Sequence, residues 1–213
     1  MPRLLVATAN RGKLDELAPV LAGFGFETVG LDAFGELPEA VEDADTFAGN
    51  ARGKAEHYGR LTGLPALADD SGLEVDALDG APGVRSARYA GPAQDATANL
   101  ARLIEAMEAH DDRRARFRCA LCLVAPDDSG AQRVLVEVDG VCEGALARAP
   151  RGDGGFGYDP LFVPVEEGEA EDPSARTFAQ MTREEKRVLS HRGRALAALE
   201  RALTERRAAE APP

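Results

Sequence analysis

The chain has 213 residues and a mass of 22.5 kDa, enough for one α/β core or two small lobes. Its 25 Lys and Arg stand against 37 Asp and Glu, a formal charge of −12. That balance excludes a broad basic face for nucleic acid polymers or anionic membranes, though not a local basic pocket for a small anion. Hydrophobic residues make up 44%, as in an ordinary globular chain. No apolar run reaches the ~18 residues of a membrane span, and the N-terminus lacks the apolar stretch of a signal peptide, so a cytoplasmic enzyme is expected.

Arg3 to Ala7 has the length and composition of a strand. The polar turn Thr8-Ala9-Asn10-Arg11-Gly12-Lys13 follows, and Leu14, Leu17 and Leu21 then repeat at helical spacing up to Gly23. Glu27 to Leu31 reads as a second strand, and residues 35–45 as an acidic loop. Thr46 can cap a helix to about Leu61, softened by Gly49, Gly53 and Gly59. Leu64 to Ala68 predicts a short strand that ends in the turn Asp69-Asp70-Ser71-Gly72, and Leu73 to Leu78 alternates as a further strand.

A stretch with Gly and Pro over 80–92 leads to a helix with Leu100, Leu103, Ile104 and Met107 on one face. Residues 115–125 and 132–138 predict a hairpin around Asp127-Asp128-Ser129-Gly130. The glycine-rich loop 151–160 precedes a strand over Leu161 to Val163. Thr182-Arg183-Glu184-Glu185 is a capping box for a short helix reaching Ser190. Leu196, Leu199 and Leu203 define a last helix, with a frayed tail from about 208 to 213. The fold class expected is α/β, a mixed β-sheet with flanking helices in a single 1–213 domain, with room for two lobes around a central cleft.

Four places can carry chemistry. The turn after the first strand presents helix N-terminal amides, with Thr8, Asn10 and Lys13 as donors suited to phosphate; the same residues also make a plain turn. Asp69 and Asp70 offer hard oxygen ligands for Mg²⁺, or a solvated acidic turn, and Glu42 is one of five acidic candidates in the loop before. The 151–160 loop lets backbone approach a ligand, with Phe156 and Tyr158 able to stack on a ring, yet it also suits a long hairpin turn. Arg192, beside His191, can read a ring carbonyl or can complement a helix dipole. His57 and His110 read as surface or structural groups. Cys119 and Cys122 form C-x-x-C within a strand, where an i, i+3 pair faces opposite ways; packed core thiols are expected.

In their order these blocks resemble the inosine/xanthosine triphosphate pyrophosphatase (Ham1-like) family. The resemblance rests on Thr8-x-Asn10-x-x-Lys13, Thr46-Phe47-x-x-Asn50-Ala51-x-x-Lys54-Ala55 and Ala68-Asp69-Asp70-Ser71-Gly72-Leu73. It continues through Gly80-x-Pro82-Gly83-x-x-Ser86-Ala87-Arg88-Tyr89, Gly155 to Pro160, and Thr182 through Gly193. It implies Mg²⁺-dependent hydrolysis of dITP, ITP and XTP to monophosphate and pyrophosphate by a homodimer. Carried over, Thr8, Ala9, Asn10, Arg11, Gly12 and Lys13 would hold the triphosphate, and Glu42 and Asp70 the metal, with Asp70 also activating water. Ser71, Phe156, Gly157, Tyr158 and Asp159 would line the nucleotide pocket, Phe156 stacking on the base. Lys186, His191 and Arg192 would contact the substrate, Arg192 favouring a 6-oxo purine. One departure is Gly49, where the family usually has Glu; the reciprocal half of a capping box is then missing. A pyrophosphatase for other modified or pyrimidine nucleotides and a non-hydrolytic nucleotide sensor are the competing readings.

Overall fold

Strand β1 (Arg3–Val6) buries Leu4 and Leu5 completely and pairs in parallel with β2 (Glu27–Val29) and β3 (Ala66–Val75). Parallel neighbours need a crossover, and two helices supply it: α1 (Arg11–Gly23) between β1 and β2, and α2 (Phe47–Thr62) before β3. The computed structural model describes residues 1–8 and 11–210, with the backbone alone at Arg11 and Glu210. Helix α1 turns Leu17 and Leu21 inward at helical spacing. Helix α2 starts at Thr46, whose side chain accepts from the Gly49 N–H at 3.0 Å, and stops at Gly63 in the left-handed region (φ 68°).

The remaining elements are α3 (Ala96–Ala106), β4 (Arg114–Pro126), β5 (Gln132–Leu146), β6 (Phe162–Pro164), α4 (Arg183–Leu189) and α5 (His191–Glu210). The six strands form one mixed sheet in the order β2-β1-β3-β4-β5-β6, with β6 antiparallel to β5. By internal contacts the chain groups into two units. The first comprises Met1–Asp70, Ala120–Asp139 and Ala195–Pro213; the second comprises Ser71–Cys119 and Gly140–Arg194. In the second unit Phe162 packs against Phe117 and Phe178 at ring-centroid distances of 4.8 and 5.0 Å. The buried Arg113 there donates to three carbonyls, those of Met107, Leu146 and Ala147, which close the end of α3 onto the end of β5.

Several sequence expectations need correction. Asp69-Asp70-Ser71-Gly72 is not a turn between two strands but the middle of the ten-residue β3. β3 lies between β1, which pairs with it at Ala66 and Leu67, and β4, and its place in the sheet outweighs the local turn preference of Asp, Ser and Gly. β3 stops at Val75, and Asp76–Leu78 form a 3₁₀ turn. β5 runs on to Leu146 rather than ending near 138, and α5 begins at His191 and continues to Glu210, so residues 208–210 are helical rather than frayed.

Two of the three α2 glycines have a packing reason. A Cβ on Gly59 would lie 2.7 Å from the Gln132 side chain and 3.3 Å from Val124, and one on Gly49 would lie 2.8 Å from the Ala44 methyl. Cys119 and Cys122 are free and buried, as expected, and Cys142 is free and buried as well. Burial pushes the Cys122 and Cys142 thiols up to about 12, so both stay protonated at neutral pH. Among the described residues no helix is long and apolar enough to cross a membrane.

Candidate functional site

In the first unit the chemistry gathers around β3 and α2. Consecutive residues of a strand project to opposite faces, and Asp69 and Asp70 accordingly have different partners. Asp69 is buried and pairs with Lys13 Nζ of α1 at 2.6 Å. Asp70 is half-buried, and its Oδ2 accepts from Asn50 Nδ2 of α2 at 2.9 Å. One turn further along α2, Lys54 donates to the Asp69 carbonyl at 3.1 Å and forms an ion pair with Glu42 of the acidic loop. Burial by itself would lower the Lys54 pKa; the hydrogen bond and charge of Glu42, backed by Asp69 and Asp70, outweigh it and hold the ammonium above its ordinary value.

The acidic loop is fastened to the same helix. His57 meets the Pro38 carbonyl at 2.8 Å, and the Ala44 N–H donates to Asn50 Oδ1 at 3.0 Å. Asn50, Lys54 and His57 lie on one stripe of α2 at i, i+4 and i+7. Thr8 leaves β1 with its N–H bonded to the Val6 carbonyl at 2.9 Å, and α1 then opens at Arg11 with Gly12 exposed. The Ala9 and Asn10 of that turn lie outside the described residues, and so does the side chain of Arg11.

In the second unit the glycine-rich loop is stitched to residues 177–179. Gly154 N–H bonds the Ala179 carbonyl at 3.0 Å, and Thr177 Oγ1 donates to the Arg151 carbonyl at 2.7 Å. A Cβ on Gly152 or Gly154 would approach the Ala179 backbone to 2.7 or 2.8 Å, which is why this seam takes glycine. The buried Asp159 carboxylate accepts from the Phe156 N–H at 2.8 Å and pairs with Lys186 of α4. Phe156 is thereby held at the loop apex with 59% of its surface exposed. Lys186 Nζ lies 4.9 Å from its ring centroid, and the Arg192 guanidinium 5.9 Å.

Gly157 follows with φ 60°. Tyr158 is a buried core ring whose hydroxyl donates to the Ser86 carbonyl at 2.8 Å, and burial raises its pKa. His191 is buried and stacks on Phe117, 4.7 Å between centroids. Ser71 is half-buried in β3, next in the chain to Asp70. Within this unit, then, Phe156, Asp159, Lys186 and Arg192 share one neighbourhood, with Tyr158 and His191 packed in the core beneath their elements.

Among the described residues no three His, Cys, Asp or Glu side chains cluster into a ready cage for a metal ion. Glu42 and Asp70 nonetheless present hard carboxylate oxygens, both half-buried and both tied to adjacent turns of α2. A donor set of one or two carboxylates suits Mg²⁺, which completes its shell with water and substrate phosphates, so the residues present fit that ion.

A sequence model of the Ham1 family matches residues 4–202. The chain belongs to the Ham1 family. It is 48% identical over 198 residues to the dITP/XTP pyrophosphatase of Syntrophobacter fumaroxidans, covering 93% of this chain and 80% of that one. A HAM1 protein from Coxiella burnetii superposes with a TM-score of 0.84 at 40% identity, over 96% of this chain and all of that one. The nucleoside-triphosphatase / dITP/XTP pyrophosphatase of Mycobacterium abscessus superposes with a TM-score of 0.74 at 44% identity, over 92% and 97% of the two chains.

In this Ham1 protein two residues stand in the first-unit cluster without a role assigned from sequence, Asn50 and Lys54. Both stood in the sequence only inside the block Thr46-Phe47-x-x-Asn50-Ala51-x-x-Lys54-Ala55, beside the residues Phe47, Ala51, Ala55 and Tyr58 that α2 buries.

Proposed function

We propose that the protein hydrolyses dITP, ITP and XTP to the monophosphate and pyrophosphate, removing these purines from the nucleotide pool. The observation that carries the proposal is the separation of two carboxylates by strand geometry. Asp69 is committed to Lys13, which leaves the half-buried Asp70 as the carboxylate able to take a proton from water. Lys13, Lys54 and the amides at the start of α1 provide positive charge for the phosphates and for the pyrophosphate that leaves. Glu42 and Asp70 would hold Mg²⁺, which supplies Lewis-acid stabilisation of phosphate oxygens.

The second unit would take the base. Phe156 offers an exposed ring for stacking, and Lys186 and Arg192, which lie over that ring, bring donors beside it. Hypoxanthine and xanthine present O6 where adenine carries an amino group. Donors aimed there are left unpaired against adenine, at a cost of about 1–3 kcal/mol. The names of the curated relatives support the same substrate class. The proposal includes a homodimer working in the cytoplasm.

Product analysis tests it. Purified protein given ITP and MgCl₂ is expected to release IMP and pyrophosphate in equal amounts, and excess EDTA is expected to stop the release. Formation of IDP and orthophosphate would contradict the bond assigned. Undiminished turnover in EDTA would remove the metal from the proposal.

A further inference from the structure

One side chain in the first unit joins the two acidic elements of the proposed site. Asn50 is 2% exposed, and both ends of its amide are used. Its Nδ2 donates to Asp70 Oδ2 at 2.9 Å, and its Oδ1 accepts from the Ala44 N–H at 3.0 Å. The amide has one donor end and one acceptor end, so the two contacts fix its orientation: the nitrogen must face the carboxylate and the oxygen the loop. Asp70 belongs to β3 and Ala44 to the loop that carries Glu42 two residues earlier. Close approach of that loop to α2 is possible because residue 49 is glycine; a Cβ there would stand 2.8 Å from the Ala44 methyl. Lys54 and His57 hold the same loop further along the stripe, at Glu42 and at the Pro38 carbonyl.

We infer that Asn50 is a positioning residue of the hydrolytic reaction: through one buried amide it sets the Asp70 carboxylate and registers the Glu42 loop against it. This rests on the proposed role of Asp70 and goes beyond it, since Asn50 itself touches neither substrate nor water in the scheme. An apolar residue would leave Asp70 misdirected and the loop amide unpaired. A carboxylate at position 50 is more discriminating, because it keeps the acceptor for Ala44 and converts the donor facing Asp70 into a like charge.

The test is a swap measured two ways. Asn50→Asp is expected to lower the melting temperature of the metal-free protein by about 3–10 °C. It is also expected to lower kcat for ITP by about 10- to 100-fold, with KM held within about threefold. Adding Asp70→Asn to it restores a donor–acceptor pair with its polarity reversed. The double variant is therefore expected to regain most of the lost melting temperature while remaining inactive.

A double variant no more stable than Asn50→Asp alone overturns the contact, and this holds even if Asn50→Asp by itself fails to fold. Loss of melting temperature with kcat unchanged below the transition overturns the positioning role and leaves Asn50 merely structural. A wild-type protein that releases no pyrophosphate from ITP defeats the functional proposal instead. The recovery of melting temperature by the swap still decides the contact in that case.

Discussion

Asp70→Asn is expected to lower ITP turnover by roughly 10²- to 10⁴-fold, the range a positioned general base supplies. The substitution is close to isosteric. Its side-chain oxygen can still accept from Asn50 Nδ2, the bond seen at 2.9 Å, so neither β3 nor the acidic loop has reason to move. Removal of one negative charge beside the phosphate-binding cations gives no reason for weaker binding of the nucleotide itself, while the proposed metal site loses one of its two carboxylates. The ITP dissociation constant measured without metal should therefore stay within a few-fold of wild type. Asp69→Asn should behave differently, because it removes a buried partner of Lys13 and acts on folding first. Turnover by Asp70→Asn within about threefold of wild type would take this carboxylate out of the chemistry.

Gly193→Ala should damage substrate binding more than any other single-carbon change in the second unit. A Cβ at this position would be driven into the Arg187 carbonyl oxygen, a backbone atom with no rotamer to escape through. The Gly193 N–H also bonds Ser190 Oγ at 3.2 Å, so the junction between α4 and α5 is closed from both sides. Overpacking of a tight site costs about 1–3 kcal/mol and more where backbone must move. Relief requires α4 and the start of α5 to separate, which displaces Lys186 from Asp159 and Arg192 from the Phe156 ring. The expected result is a KM for ITP raised at least tenfold, about 1.4 kcal/mol, with a lowered melting temperature. An unchanged KM would mean that the junction does not position the base-side donors.

Much of this was legible in the amino-acid sequence where local signals and tertiary pairing agree. The caps at Thr46 and Thr182 mark helix starts because a side-chain oxygen answers an N–H three residues on, a contact that depends on nothing distant. The middle of β3 was misread for the opposite reason. Asp-Asp-Ser-Gly has turn chemistry in isolation, and only neighbours brought from elsewhere in the chain make it a strand. Asp69 and Asp70 looked equivalent as neighbours in sequence; the pleat separates them, one buried against Lys13 and one half-buried beside Asn50. Asn50 was visible only as a residue within a family block, since its work is to join a loop and a strand that are six and twenty positions away. The glycines of the 151–160 loop suggested close backbone approach, although the nearest backbone turned out to be that of Ala179.

The most direct test is a comparison of kcat/KM for ITP, XTP, ATP and dUTP under one set of conditions with magnesium present, scored by pyrophosphate. One donor left unpaired against adenine predicts that ITP and XTP exceed ATP by roughly 5- to 150-fold, with dUTP, whose smaller ring stacks less on Phe156, well below both purines. Equal values for ITP and ATP, or a preference for dUTP, would contradict the assignment of the second unit to 6-oxo purines.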